Sequence, residues 1–226
     1  MREFKERISM RIDNVKALLN EQDIDSMVVS NIKNVRYISG FTGEEGMAVI
    51  TDKSAYLIVD GRFTEQAKSE SKIDIVDYGG NFVRTIGEIL KNDGSKRCAF
   101  EGNTMTYSEA EHMMNTINFV SWVAQKDVFE RVRMIKDIDE IKTIKKSLKI
   151  ALDTFEYVRP QIVAGVTEID IANEIEYRMK KMGASGPSFD TIVASGKRSA
   201  LPHGVASKKV IENGDAVVVD MGAVYD

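Results

Sequence analysis

The sequence is poor in cysteine, histidine and proline: its 226 residues include one Cys, two His and three Pro. The single cysteine, Cys98, excludes an internal disulfide and is typical of proteins in a reducing compartment. Positive charge is not in excess, since 31 Lys and Arg face 35 Asp and Glu. A net charge of −4 argues against a nucleic-acid-binding protein, which normally has a basic surface.

Long apolar runs are also missing. No stretch approaches the roughly 18 apolar residues that a membrane-spanning helix needs. Residues 1–13 are charged throughout and lack the apolar core of a secretory signal. We therefore expect a cytoplasmic protein that binds neither nucleic acid nor membrane.

The first half of the chain alternates between strand and helix patterns, which indicates an α/β sheet covered on its faces. Residues 34–43 (NVRYISGFTG) are interpreted as a loop, and 52–54 as the turn of a β-hairpin. The predicted strands are 26–31, 47–51, 55–60, 73–78, 97–101 and 119–123, and the predicted helices are 4–20, 61–71, 82–91 and 108–118.

A charged stretch at 126–136 is predicted to link a first domain, 1–125, to a second, 137–226. Asp137 begins a long helix, with Glu140 three residues on in the pattern of a capping box. One apolar stripe follows this helix at steps of three and four residues. Its members are Ile138, Ile141, Ile144, Leu148, Ala151, Phe155 and Val158. Thr167 is predicted to cap the next helix.

An apolar strand near the C-terminal end of the chain finishes on a carboxylate. Residues 213–215 (NGD) are a turn signal, and the run 216–219 (AVVV) that follows is typical of a strand buried on both faces. Asp220 ends this run on the same face as Val218, because side chains alternate along a strand. A buried carboxylate costs on the order of 3–5 kcal/mol unless a cation or hydrogen-bond donors compensate it.

His203 is held in a stiff turn upstream of this strand. Pro202 fixes its own φ and pushes Leu201 into an extended conformation, and Gly204 allows the backbone to approach a ligand closely. An imidazole presented in this way can donate to an anionic intermediate or relay a proton near neutral pH. The other histidine, His112, has Glu109 and Glu111 nearby, but these are interpreted as solvated residues of a helix.

The motifs IVASGKRSALPHG (192–204) and ENGDAVVVDMGAVYD (212–226) resemble the proline-peptidase branch of the pita-bread metallopeptidases. That branch contains Xaa-Pro aminopeptidases and Xaa-Pro dipeptidases (prolidases). NVRYISGFTG (34–43) and VDGRFTEQA (59–67) resemble motifs of the creatinase-type N-terminal domain. The resemblance implies a mixed-sheet α/β domain of the creatinase or ribonuclease H-like type, followed by the first half of an α+β pita-bread domain.

The resemblance also implies roles for particular residues. Asp220 matches the first carboxylate of a two-metal site that holds Mn, Co or Zn. His203 matches the histidine that contacts substrate and steadies the tetrahedral intermediate. Arg62 and Tyr37 are candidates for the substrate rim, and Phe189 for the proline pocket. Two simpler interpretations stay open: an Asp60–Arg62 ion pair that fixes a turn, and Phe189 as an ordinary core aromatic.

The remaining ligands of that family, a second Asp, a His and two Glu, come from segments beyond Asp226. We therefore expect the complete protein, a homodimer, to cleave short peptides before proline, and the 226 residues alone to be inactive. Whether these residues alone bind metal stays open. Two alternatives stay open. One is a metal-free, creatinase-like hydrolase, and the other is a peptide-binding or dimerising module without enzymatic activity.

Overall fold

The computed structural model describes residues 2–225, with side chains from residue 4 onward, and divides the chain into two compact units, Met1–Ile135 and Lys136–Asp226. The elements of the first unit are α1 (Arg2–Asn20), β1 (Ser26–Val29), α2 (Ile32–Ser39), β2 (Met47–Thr51), β3 (Ala55–Val59), α3 (Thr64–Glu70), β4 (Asp74–Asp77), α4 (Phe82–Asp93), β5 (Arg97–Glu101), α5 (Tyr107–Thr116), β6 (Ser121–Gln125) and α6 (Val128–Met134).

The first unit is built on one six-stranded mixed sheet in the order β4-β3-β2-β1-β5-β6. Strand β2 runs antiparallel to both β1 and β3, whereas the outer pairs are parallel. Alternate residues of β1 face opposite sides: Met27 and Val29 join one apolar cluster, and Val28 joins the other. The predicted α/β sheet with two covered faces and a hairpin at 52–54 is confirmed.

The interpretation of residues 34–43 as a loop is wrong, because helix α2 occupies most of them. The side chain of Asn31 accepts a hydrogen bond from the Lys33 N–H and caps the helix N-terminus. Gly40 ends the helix at φ +82°, and its N–H donates to the Arg36 carbonyl. Val35 and Ile38, three residues apart, are fully buried on the inner face.

The stretch predicted as a linker, 126–136, contains helix α6, whose Val128 and Phe129 are buried in the core of the first unit. Val132, partly buried, packs against the same core, so a few apolar residues dock α6 although charged residues are frequent in it. Residues 126–135 therefore belong to the first unit, and the remaining domain limits stay a proposal.

The second unit packs two helices against short strands. Its elements are α7 (Ile138–Val158), a 3₁₀ turn (Arg159–Gln161), α8 (Glu168–Lys181), β7 (Gly186–Pro187), β8 (Ile192–Ser195), a second 3₁₀ turn (Gly196–Ala200), β9 (Val217–Asp220) and β10 (Ala223–Val224). Strands β8 and β9 pair antiparallel, as do β7 and β10. Both predicted helix caps are present: the Asp137–Glu140 capping box on α7, and Thr167 on α8.

The apolar stripe of α7 is only partly buried. Ile150, Thr154 and Val158 form the buried edge of the helix, each four residues from the next. Ile138 and Leu148, which the sequence pattern groups with Val158, are 71% and 55% exposed. The apolar face of α7 is thus wider than the surface that the described residues of the chain cover.

Candidate functional site

The β8–β9 pair has one face covered by helices, and its other face is open over β9. Val193, Val217 and Val219 pack into the cluster formed with α7 and α8. By strand alternation the opposite face carries Ile192, Ala194, Val218 and Asp220. Ile192 and Ala194 are buried, whereas Val218 is 44% exposed and Asp220 is exposed as well, so the open face is the β9 part of this side.

The prediction of a strand buried on both faces is therefore wrong for β9. The physical reason is that, in the part of the chain that the structure describes, β9 pairs with β8 alone and only one face has helices against it. Asp220 keeps its contact with water in this structure. The desolvation cost that a buried carboxylate would carry does not arise.

The His203 turn lies across this open face. A Cβ placed on Gly204 would lie 3.0 Å from the Cβ of Ala194, so the glycine lets the turn approach the strand closely. Leu201 is extended before Pro202, as predicted (φ −82°, ψ 122°). His203 itself is exposed.

Strand pairing brings His203 and Asp220 to the same part of the sheet. Ile192 pairs with Asp220 on one edge and forms a bridge with Val205 on the other. Since paired strands lie about 4.8 Å apart, the backbones of Val205 and Asp220 are roughly 10 Å apart. His203 precedes Val205 by two residues, and its carbonyl accepts a hydrogen bond from the Val205 N–H.

Phe189 lies at the same end of β9. The Ser188 N–H donates to the Gly222 carbonyl at 2.9 Å, and a Cβ on Gly222 would lie 3.1 Å from the Phe189 ring. Phe189 is 44% exposed, so its ring is not in the core. Three of the five predicted site residues thus gather around the open face of β8 and β9.

Arg62 and Tyr37 belong to the first unit. The Arg62 guanidinium donates to Asp60 and Glu45, both at 2.6 Å, and is 65% exposed. The hydrogen bond from Arg62 lowers the pKa of Asp60, and the same pairing raises the pKa of Arg62. Tyr37 is 8% exposed, with the Arg11 guanidinium 4.2 Å from its ring centre, an arrangement that disfavours a rim role for its side chain.

Glu168 is the feature of this region that the sequence pattern does not reveal. Its carboxylate is fully buried at the first residue of α8. Burial raises the pKa of this group, but hydrogen bonds from Ser207, Ser195 and Arg198 outweigh it and lower the pKa to about 2. Ser195 and Ser207 are 27 and 39 residues away in sequence, so no local motif links them to Glu168.

Other candidate groups have structural explanations. Glu109 completes a capping box with Thr106 at the start of α5, which confirms the interpretation of the His112 neighbourhood as an ordinary helix. Cys98 is buried, and burial raises its pKa to about 12, as expected for a packed thiol. Among residues 2–225 there is no cluster of three or more His, Cys, Asp or Glu side chains placed to hold a metal ion. Within the same residues, no helix is both long and apolar enough to cross a membrane.

Comparison with known families identifies both parts of the chain. Residues 11–135 match the Creatinase/Prolidase N-terminal domain, and residues 142–226 match Metallopeptidase family M24. The chain belongs to the creatinase/prolidase family. A creatinase-type domain followed by part of a pita-bread domain, the arrangement that the motifs predicted, is thereby confirmed.

Relatives and solved structures of this family agree over nearly the whole chain. An Xaa-Pro dipeptidase of Pyrococcus furiosus is 39% identical over 96% of this chain and 61% of its own length. The structure of an Xaa-Pro dipeptidase from Bacillus anthracis superposes with a TM-score of 0.93, at 39% identity, over 96% of this chain and 61% of that one. The structure of an X-Pro aminopeptidase from Thermotoga maritima superposes with a TM-score of 0.84, at 38% identity, over 90% of this chain and 59% of that one. The chain thus spans about three-fifths of the length of these relatives.

Proposed function

We propose that the complete protein hydrolyses the peptide bond that precedes proline, as an Xaa-Pro aminopeptidase or dipeptidase. One observation carries the proposal: the rigid His203 turn lies on the open sheet face that also carries Asp220. That geometry occurs in a chain whose relatives include proteins named Xaa-Pro dipeptidase.

In this proposal each residue has a defined task. The His203 imidazole donates a hydrogen bond to the oxygen that becomes negative when the scissile carbonyl is attacked. The exposed ring of Phe189 supplies an apolar contact for the proline ring. Arg62 is exposed and pairs with Asp60 and Glu45 through Nε and Nη2, so its Nη1 donors are the ones that would contact a substrate.

The family is one of metallopeptidases, so divalent metal is part of the proposal, with Mn, Co or Zn as candidates. Asp220 offers one carboxylate, whereas a pair of ions roughly 3.5–4 Å apart needs several. The described residues contain no three-ligand cluster and do not by themselves fit a two-metal site. We assign Asp220 as one metal ligand of the complete protein and derive no catalytic step through the metal.

Short proline-containing peptides are the proposed substrates, and the proposed assembly is a homodimer. A cytoplasmic location is proposed from the single, buried Cys98, which leaves no internal disulfide to be made.

The test compares dipeptides that differ only in the second residue. The complete protein, loaded in turn with Mn, Co and Zn, is assayed on Xaa-Pro and Xaa-Ala dipeptides and on a longer Xaa-Pro peptide. We expect cleavage of the Xaa-Pro bond, little cleavage of Xaa-Ala, and loss of activity with a chelator. No hydrolysis with any of the three metals would contradict the proposal, and hydrolysis of a guanidino compound without metal would favour the creatinase-like alternative.

A further inference from the structure

The segment that carries His203 is tied at both ends to one buried carboxylate. Oε1 of Glu168 accepts from the Ser195 N–H at 2.7 Å and from the Ser195 hydroxyl at 2.9 Å. Oε2 accepts from the Ser207 hydroxyl at 2.7 Å, the Ser207 N–H at 3.2 Å and Arg198 Nε at 3.0 Å. One oxygen thus holds the start of the segment, and the other holds its end.

Arg198 connects Glu168 to the backbone next to His203. Its Nη2 donates to the Val205 carbonyl at 2.8 Å, while its Nε is bound to Glu168. The backbone of Val205 in turn contacts that of His203 through a 2.9 Å hydrogen bond. A continuous path of hydrogen bonds therefore leads from Glu168 to the residue that presents the imidazole.

We propose that Glu168 is a positioning residue that fixes the His203 imidazole over the open face of β8 and β9. This inference rests on the proposed function for its catalytic consequence. Glu168 is fully buried, so it acts on the substrate only through the turn that it holds. Five charge-assisted donors on one carboxylate make this anchor stiffer than the neutral contacts of an ordinary loop.

A neighbouring ion pair provides a matched control. Lys209 Nζ contacts Asp215 at 2.7 Å and the Ser195 hydroxyl at 2.9 Å, which braces the base of the same segment. This pair lies outside the path from Glu168 through Arg198 to Val205. Asp215→Asn therefore removes an ion pair beside the Ser195 end of the anchor and leaves the bonds from Ser207 and Arg198 to Glu168 in place.

The experiment uses two measurements on Glu168→Gln, Ser207→Ala and Asp215→Asn. In the 226-residue chain, which has two histidines, the imidazole Cε1–H signal of His203 is recorded by NMR, with His112 as the internal reference. In the complete, metal-loaded protein, kcat and KM are measured on an Xaa-Pro dipeptide. For Glu168→Gln we expect a shifted or broadened His203 signal, an unchanged His112 signal, and kcat at least tenfold lower with KM within threefold.

Ser207→Ala removes only one of the donors, so we expect a smaller effect of the same kind, about threefold on kcat. Asp215→Asn should leave both the His203 signal and kcat within twofold of the parent. A folded Glu168→Gln variant with parental kcat and a parental His203 signal would overturn the inference. Equal losses of kcat in Glu168→Gln and Asp215→Asn would also overturn the inference, because Glu168 would then only stabilise the segment in general.

Two further outcomes keep the inference separate from the proposed function. If Glu168→Gln does not fold, the test rests on the His203 NMR signal of Ser207→Ala. An unchanged signal in that variant overturns the inference. If the parent protein fails to cleave Xaa-Pro dipeptides, the proposed function fails, while the NMR comparison still shows whether Glu168 positions His203.

Discussion

At the scale of the residue, Glu168 makes the stability of the second unit depend on pH. Its pKa is about 2 in the folded chain, against an ordinary value of 4.5. Because the folded pKa is depressed, the contribution is complete above pH 4.5 and is lost as the pH falls through about 2. The difference corresponds to roughly 3 kcal/mol of unfolding free energy.

We therefore expect the stability gap between the parent and Glu168→Gln to be largest at pH 6 and to shrink between pH 4.5 and pH 2. Urea unfolding followed by far-ultraviolet circular dichroism measures this gap. Glu212→Gln, at an exposed carboxylate of the same unit, is the control and should show almost no gap at any pH. A gap for Glu168→Gln that stays constant down to pH 2 would contradict the low pKa.

The residue pattern and the family resemblance pointed to His203 and Asp220, but not to the carboxylate that holds the His203 turn. His203 and Asp220 are recognisable because Pro202 and Gly204 flank the histidine and a valine run precedes the aspartate. Glu168 was not predicted, since an acidic residue in the first turn of a helix is ordinary and its donors are distant in sequence. The exposure of Asp220 was not predicted either, because alternation along β9 does not reveal which of its faces is covered.

At the scale of the element, helix α2 shows that capping residues determine whether a stretch of mixed composition forms a helix or a loop. Asn31 and Gly40 bracket eight residues whose apolar positions, read without the caps, allow a loop. The pairing of β2 with β3 was predicted correctly, because the hairpin at 52–54 has turn residues between two apolar runs. Burial of the α7 stripe could not be predicted, because periodicity shows an apolar face but not what covers it.

Two glycines that end helices form a matched pair for testing the cap of α2. Gly40 and Gly94 have φ of +82° and +79°, so alanine is strained at both positions by about 1 kcal/mol. At Gly40 the added Cβ would also lie 2.7 Å from the Phe4 ring, whereas Gly94 has nothing within 4 Å. We expect Gly40→Ala to lower the unfolding free energy by about 1 kcal/mol more than Gly94→Ala. Equal losses of unfolding free energy in the two variants, measured by thermal or urea unfolding, would show that the Phe4 contact does not fix this cap.

At the scale of the whole molecule, the two compact units have separate apolar cores. The order of the motifs predicted an α/β unit followed by part of a second fold. It did not predict that α6 would join the first unit, because the few apolar residues of α6 that dock, Val128, Phe129 and Val132, stand among charged ones. The chain spans 61% of the length of the Pyrococcus furiosus relative.

The exposed stripe of α7 leads to an expectation about association. Ile144 and Leu148 are 52% and 55% exposed and lie on one face of the helix. Contiguous apolar surface of this kind drives self-association, so we expect the 226-residue chain to be a dimer or larger in light scattering. Leu148→Lys should shift it toward monomer, whereas Met10→Lys, at a 52% exposed residue of α1, should not. A parent chain that scatters as a clean monomer at micromolar concentration would contradict this expectation.

The two histidines of the chain provide the most direct test of the role of the His203 turn. In the complete, metal-loaded protein, kcat and KM for an Xaa-Pro dipeptide are compared between the parent, His203→Ala and His112→Ala. Loss of one oxyanion donor costs about a hundredfold in kcat, so we expect that loss for His203→Ala, with a smaller change in KM. His112→Ala, in the first unit, should match the parent. A His203→Ala protein that turns over as fast as the parent would remove this histidine from the mechanism and contradict the account.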